Sequence, residues 1–154
     1  MKDIPNFDQF VKVEEINKGW SKDKKYYVET KDQERLLLRI SAVSEYDEKK
    51  KEFEIMKKLA TVGVNMSQPI AFGICDDGKS VYQLLCWVDG EEAKEVLPSL
   101  SVKEQYDFGW EAGQMMLKMQ KAESYPASLE WMKIYGDRVA KDITENGSCR
   151  ENEE

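Results

Sequence analysis

The chain has 154 residues, of which 41% are hydrophobic and 34% charged, and its formal net charge is −7. That suits one folded domain, or one with a stub of a second, and excludes disorder along the whole length. It also argues against a partner with a phosphate backbone, since nucleic-acid affinity needs a positive face, but a mononucleotide pocket needs only one or two placed cations.

Phe10–Ile16 (FVKVEEI) has the β-branched and aromatic content of a strand, and Asn17-Lys18-Gly19-Trp20-Ser21 after it reads as a turn. Lys25–Thr30 (KYYVET) and Arg35–Ser41 (RLLLRIS) read as the second and third strands. Ser44 with Asp47 matches a capping box, and Tyr46, Phe53, Met56, Leu59 and Ala60 follow at helical spacing up to a glycine stop at Gly63. Lys49, Lys50, Lys51, Lys57 and Lys58 interleave with acids, as a solvated helix face does. Pro69–Cys75 and Ser80–Val88 read as two more strands around the hairpin signal Asp76-Asp77-Gly78-Lys79, and Asp89-Gly90 breaks the second. Ser101 with Glu104 is another capping box, opening a long helix that carries Tyr106, Trp110 and Leu117 on one side. Trp131–Ile143 has weaker helical character, and Glu145–Glu154 reads as a disordered acidic tail. The order predicts an α+β fold with an antiparallel meander covered by a helix on one face.

The sequence contains no histidine, which excludes Ser-His-Asp and Cys-His catalysis. Cys75, Cys86 and Cys149 form no CxxC pair, so no zinc site is expected, and Cys75 and Cys86 read as small buried thiols in strands. No apolar run approaches the ~18 residues that span a bilayer, and no signal-peptide core follows Met1. The expectation is a reduced, cytoplasmic protein with no metal site and no membrane or nucleic-acid partner.

Four features point to phosphoryl-transfer chemistry. A turn with a glycine, Gly19-Trp20-Ser21, lets backbone N–H groups approach phosphate oxygens. Strand alternation puts Leu36, Leu38 and Ile40 on one face and Arg39 on the other, beside Leu37 and Ser41, where a rigidly held cation can meet a nucleotide. Glu52, two turns from Leu59 on the same side of the helix, is placed to hold that cation, with Glu45, Glu48 and Glu54 as competitors. The apolar strand Leu84–Val88 ends in a break where backbone groups can pair with a purine.

Taken together, GWSxDKKYYVET, LLLRIS, EFEIMKKL, QPIAFGIC, SVYQLLCWVDGE and LPxLSxxEQY resemble the aminoglycoside phosphotransferase family, over roughly residues 7–121. The resemblance implies a protein-kinase-like small lobe, a five-stranded antiparallel sheet with one packed helix, followed by a long helix, with the catalytic lobe missing. It assigns residues 1–90 to that lobe, 91–124 to a hinge and first large-lobe helix, and 125–154 to a partial large-lobe segment and tail. Gly19, Trp20 and Ser21 then cover phosphates, Arg39 stands where the family has a lysine, Glu52 pairs with it, and Cys86, Trp87 and Val88 line the purine. The implied cofactor is ATP or GTP with magnesium, and the implied acceptor a small-molecule hydroxyl. The chain departs from the family in lacking the histidine-and-aspartate loop, and Met119-Gln120 stands where Leu-His or Ile-His is usual. These departures imply an inactive fragment that self-associates through helix 101–121. The alternatives are a stand-alone nucleotide-binding or regulatory module and an unrelated α+β interaction domain.

Overall fold

The computed structural model describes residues 3–19 and 21–122. Trp20, the expected helix over Trp131–Ile143, the tail and Cys149 lie outside the described residues. Five strands, β1 (Phe10–Glu15), β2 (Lys24–Thr30), β3 (Arg35–Ala42), β4 (Pro69–Cys75) and β5 (Ser80–Cys86), form one antiparallel sheet in the order β1-β2-β3-β5-β4. Among the described residues there are also helices α1 (Tyr46–Thr61), α2 (Ala93–Val96) and α3 (Val102–Ala122), with short 3-10 turns between elements. This is the expected α+β sheet with a packed helix and a long helix after it.

The alternation read in β3 decides which face is which. Leu36, Leu38 and Ile40 are buried with Val28, Cys75, Tyr82 and Leu84, and Ile4 is buried among them with Phe7 and Phe10 packed alongside. The residues ahead of the first strand therefore cover this face, a role their sequence did not announce. The opposite face takes α1, whose Phe53 and Tyr46 rings lie 5.5 and 5.4 Å from Phe72 on β4. Burial of these side chains from water supplies most of the drive to assemble the sheet.

Element ends follow local chemistry. α1 closes in a Schellman motif: Gly63 and Val64 donate to the Ala60 and Leu59 carbonyls, and Gly63 takes φ 71°, which glycine adopts freely. The Ser101–Glu104 box forms, with the Ser101 amide and hydroxyl reaching Glu104 at 2.8 and 2.7 Å. The Ser44–Asp47 box does not form. Val43–Glu45 is instead a 3-10 turn, drawn in by the Val43 N–H bond to the Lys79 carbonyl, so Glu45 rather than Ser44 stands at the helix N-cap. β5 stops at Cys86, two residues short of Val88, and Cys86 is half-buried rather than buried like Cys75.

Leu38 is fully buried at the sheet centre. Leu38→Ala is expected to lower unfolding free energy by about 3 kcal/mol, the cost of lost transfer plus a cavity, measured by urea denaturation.

Candidate functional site

Strand register builds one face of the site from side chains far apart in sequence. Lys25 and Tyr27 on β2 lie opposite Arg39 and Leu37 on β3, which in turn lie opposite Gln83 and Leu85 on β5. Paired residues share a face, so these six do too. Arg39 stands at its centre and is half-buried. Its Nη1 donates to Glu52 Oε1 at 2.8 Å, which brings together the strand cation and the helix acid singled out above.

Two more residues join them. Asp23, just ahead of β2, has a side chain only 3% exposed and accepts from Arg39 Nε at 3.1 Å, Ser41 Oγ at 2.9 Å and Lys49 Nζ at 3.1 Å. Lys49 on α1 also lies 3.6 Å from Glu52. The four groups close a ring in which each cation touches both acids. Burial by itself would push the Asp23 carboxyl up, but hydrogen bonds from Lys49, Arg39 and Ser41 outweigh it and hold it down at about 2. Burial likewise opposes the charge on Arg39, yet Glu52 and then Asp23 raise its pKa above the usual arginine value.

Lys49 corrects the expectation that the α1 lysines form a solvated face. It stands four residues before buried Phe53, so it shares the covered side of the helix, and that spacing was the signal that could have found it. Asp23 gave no periodic signal, because it precedes its strand and meets Arg39 only through the β2–β3 pairing.

The turn between β1 and β2 carries Gly19 at φ 96°, a left-handed conformation that side chains resist. Lys25 Nζ lies 2.8 Å from where a Cβ on Gly19 would stand, and it donates to the Lys18 carbonyl at 2.8 Å. Lys18 Nζ reaches Glu92 at 3.0 Å, linking the turn to the segment beyond β5. Ser21 is exposed.

Trp87 and Val88 lie at the other end of the face, just past the last β5 pairing, Leu36 with Cys86, which turns the Cys86 side chain to the opposite face. Cys86 and Trp87 use their N–H groups within the sheet, toward the Gln68 and Arg35 carbonyls. Trp87 sets its ring edge-on to Tyr27, centroids 4.8 Å apart. Asp89 binds the Arg35 guanidinium through both carboxylate oxygens and also accepts from Trp87 Nε1 at 3.2 Å. Leu36, opposite Cys86, and Arg39 are three residues apart, roughly 10 Å along β3 by strand rise. Two polar ends thus flank an apolar middle of Tyr27, Leu37 and Leu85.

A family model described as the phosphotransferase enzyme family matches residues 12–153. No curated protein and no solved structure matches the chain.

Removing one member of a buried ion network leaves its partners uncompensated. Asp23→Asn is therefore expected to cost about 3 kcal/mol at pH 7. Asp23 has an ordinary value of 3.8 and sits at about 2 when folded, so its contribution is present above pH 3.8 and lost as pH falls through 2. Acid titration of stability should show a shallower fall between those limits in Asp23→Asn than in the wild type.

Proposed function

The chain belongs to the phosphotransferase enzyme family, and from that premise we propose that residues 1–90 are the nucleotide-binding small lobe of a small-molecule kinase. In this reading residues 91–124 are the hinge and the first helix of a second lobe. ATP or GTP lies on the face between the Gly19 turn and the Cys86–Val88 segment, and a hydroxyl of a small molecule is the acceptor.

The observation that carries the reading is Arg39 held by Glu52 at the centre of that face, on a rigid strand beside a glycine turn. A planar guanidinium has five donors in a fixed fork, so it can be oriented by acids and still offer N–H groups to phosphate oxygens. Gly19 and Ser21 are read as the cover over the phosphates, as is Trp20 by resemblance alone. Between Arg39 and the far end, Tyr27, Leu37 and Trp87 supply an apolar wall. With the Cys86 and Trp87 amides engaged in the sheet, Val88, which is 55% exposed, is left to offer its backbone to the purine edge.

Phosphoryl transfer also needs magnesium and a group that positions the acceptor hydroxyl. Among the described residues no cluster of three or more His, Cys, Asp or Glu could hold a metal ion, and no step of the chemistry is placed on them. We therefore propose that this chain alone binds nucleotide without transferring phosphoryl. Free Cys75 and Cys86 thiols support a reducing, cytoplasmic setting, and among the described residues no helix is long and apolar enough to cross a membrane.

Calorimetric titration with MgATP and MgGTP tests the reading. The expected result is a dissociation constant above about 10 μM, equivalent to roughly −7 kcal/mol, with no phosphoryl transfer to hydroxyl acceptors. Binding below 1 μM would favour a stand-alone nucleotide module, and no binding of either nucleotide would overturn the proposal.

No residue of α3 is buried, and Tyr106 and Trp110 are 69% and 61% exposed. Bare apolar surface of this extent seeks cover, and we propose that two copies associate through α3. Sedimentation at tens of micromolar is expected to show a dimer or larger species that Trp110→Glu reduces to monomer. A monomeric wild type would refute this.

A further inference from the structure

The positive charge at the centre of the face is already fully matched by acids. Arg39 and Lys49 bring two positive charges, and Asp23 and Glu52 bring two negative ones in direct contact with them. Glu45, 3.9 Å from Lys49, adds a third acid to the two cations, so an incoming polyphosphate meets donors there but no positive excess. Attraction across the face must come from a cation outside it.

Neighbouring cations are mostly neutralised as well. Lys12, above the Tyr27 ring, is bridged to Glu14 and Glu29, Lys18 to Glu92, and Arg35 to Asp89. Lys25 differs. Register sets it directly opposite Arg39 on the same face, with Cα atoms roughly 5 Å apart as in any antiparallel pair. Its ammonium contacts no carboxylate among the described residues, and one neutral acceptor, the Lys18 carbonyl, takes one of its three donors. It lies close against Gly19, 2.8 Å from where a Cβ on that residue would stand.

We propose that Lys25 is a phosphate-binding cation of this site, supplying the uncompensated positive charge while the Arg39 fork supplies orientation. The proposal rests on the nucleotide reading above and adds to it a residue, a charge balance and a division of labour. Gly19 acquires a second role here: besides its left-handed backbone, it clears the space through which the ammonium and a phosphate would meet. Lys24, one residue earlier, points to the opposite face with Tyr26 and is a built-in control.

Titration of the full chain with MgATP, MgGTP and inorganic tripolyphosphate, for the wild type, Lys25→Met and Lys25→Arg, tests this. Loss of a charge-assisted contact is expected to weaken binding of whichever polyphosphate the wild type takes by about tenfold in Lys25→Met, with Lys25→Arg within about threefold of wild type. Lys25→Met binding within twofold of wild type overturns the Lys25 assignment and leaves the nucleotide reading standing. Lys25-dependent binding of tripolyphosphate without binding of either nucleotide does the reverse. A wild type that takes none of the three sinks both. Should Lys25→Met fail to fold, amine acylation of the wild type read by mass spectrometry decides. Saturating polyphosphate should slow modification of Lys25 at least about fivefold and leave Lys24 unchanged, whereas equal rates at Lys25 with and without it refute the assignment.

Discussion

Arg39 carries its charge to the middle of a sheet face that α1 partly shuts off from water, and that placement is tolerable only because two carboxylates meet it there. Desolvating a guanidinium costs several kcal/mol unless its donors are satisfied. Glu52 reaches it from the helix, and Asp23 from the chain entering β2. The ring they complete with Lys49 ties β2, β3 and α1 at one point, so the position of the helix and the position of the turn before β2 are no longer independent.

The same logic of paired charges recurs at the edges of the face. Arg35 at the start of β3 grips Asp89 just past β5, and Trp87 adds its indole N–H to the same carboxylate. The segment leaving the sheet is thereby held against Tyr27 instead of trailing into solvent. At the other end the Lys18–Glu92 pair runs from the β1–β2 turn to the residues ahead of α2. These pairs are exposed, so each contributes little stability. Their value is geometric, since they set the two ends of an open face relative to its rigid centre. α3 presents the opposite case, a long helix with apolar residues and nothing buried, whose pattern is that of a covered helix.

Legibility in the sequence tracked how local the determining interaction was. The five strands, the α1 and α3 helices, the Gly63 stop and the Ser101 cap were readable because each depends on period, propensity or residues within one turn. The facing of Arg39 away from Leu36, Leu38 and Ile40 was readable for the same reason. The Ser44 cap misled because its competitor, the Lys79 carbonyl that captures Val43, comes from the β4–β5 hairpin. Lys49 misled because a lysine among lysines reads as solvated, although its spacing from Phe53 put it on the covered side.

By itself the sequence determined the kinds of element, their order, the faces of β3, and the motifs that align with a phosphotransferase family. Tertiary structure alone decided that Asp23 is the second partner of Arg39, that Lys49 is buried, that the N-terminal residues cover the far face, and that Lys25 stands opposite Arg39 with no carboxylate in contact among the described residues. The physical reason is range. Backbone period and caps act over a few residues, whereas the balance of a buried charge is set by whatever strand pairing and helix docking bring within about 4 Å, and sequence spacing does not encode that sum.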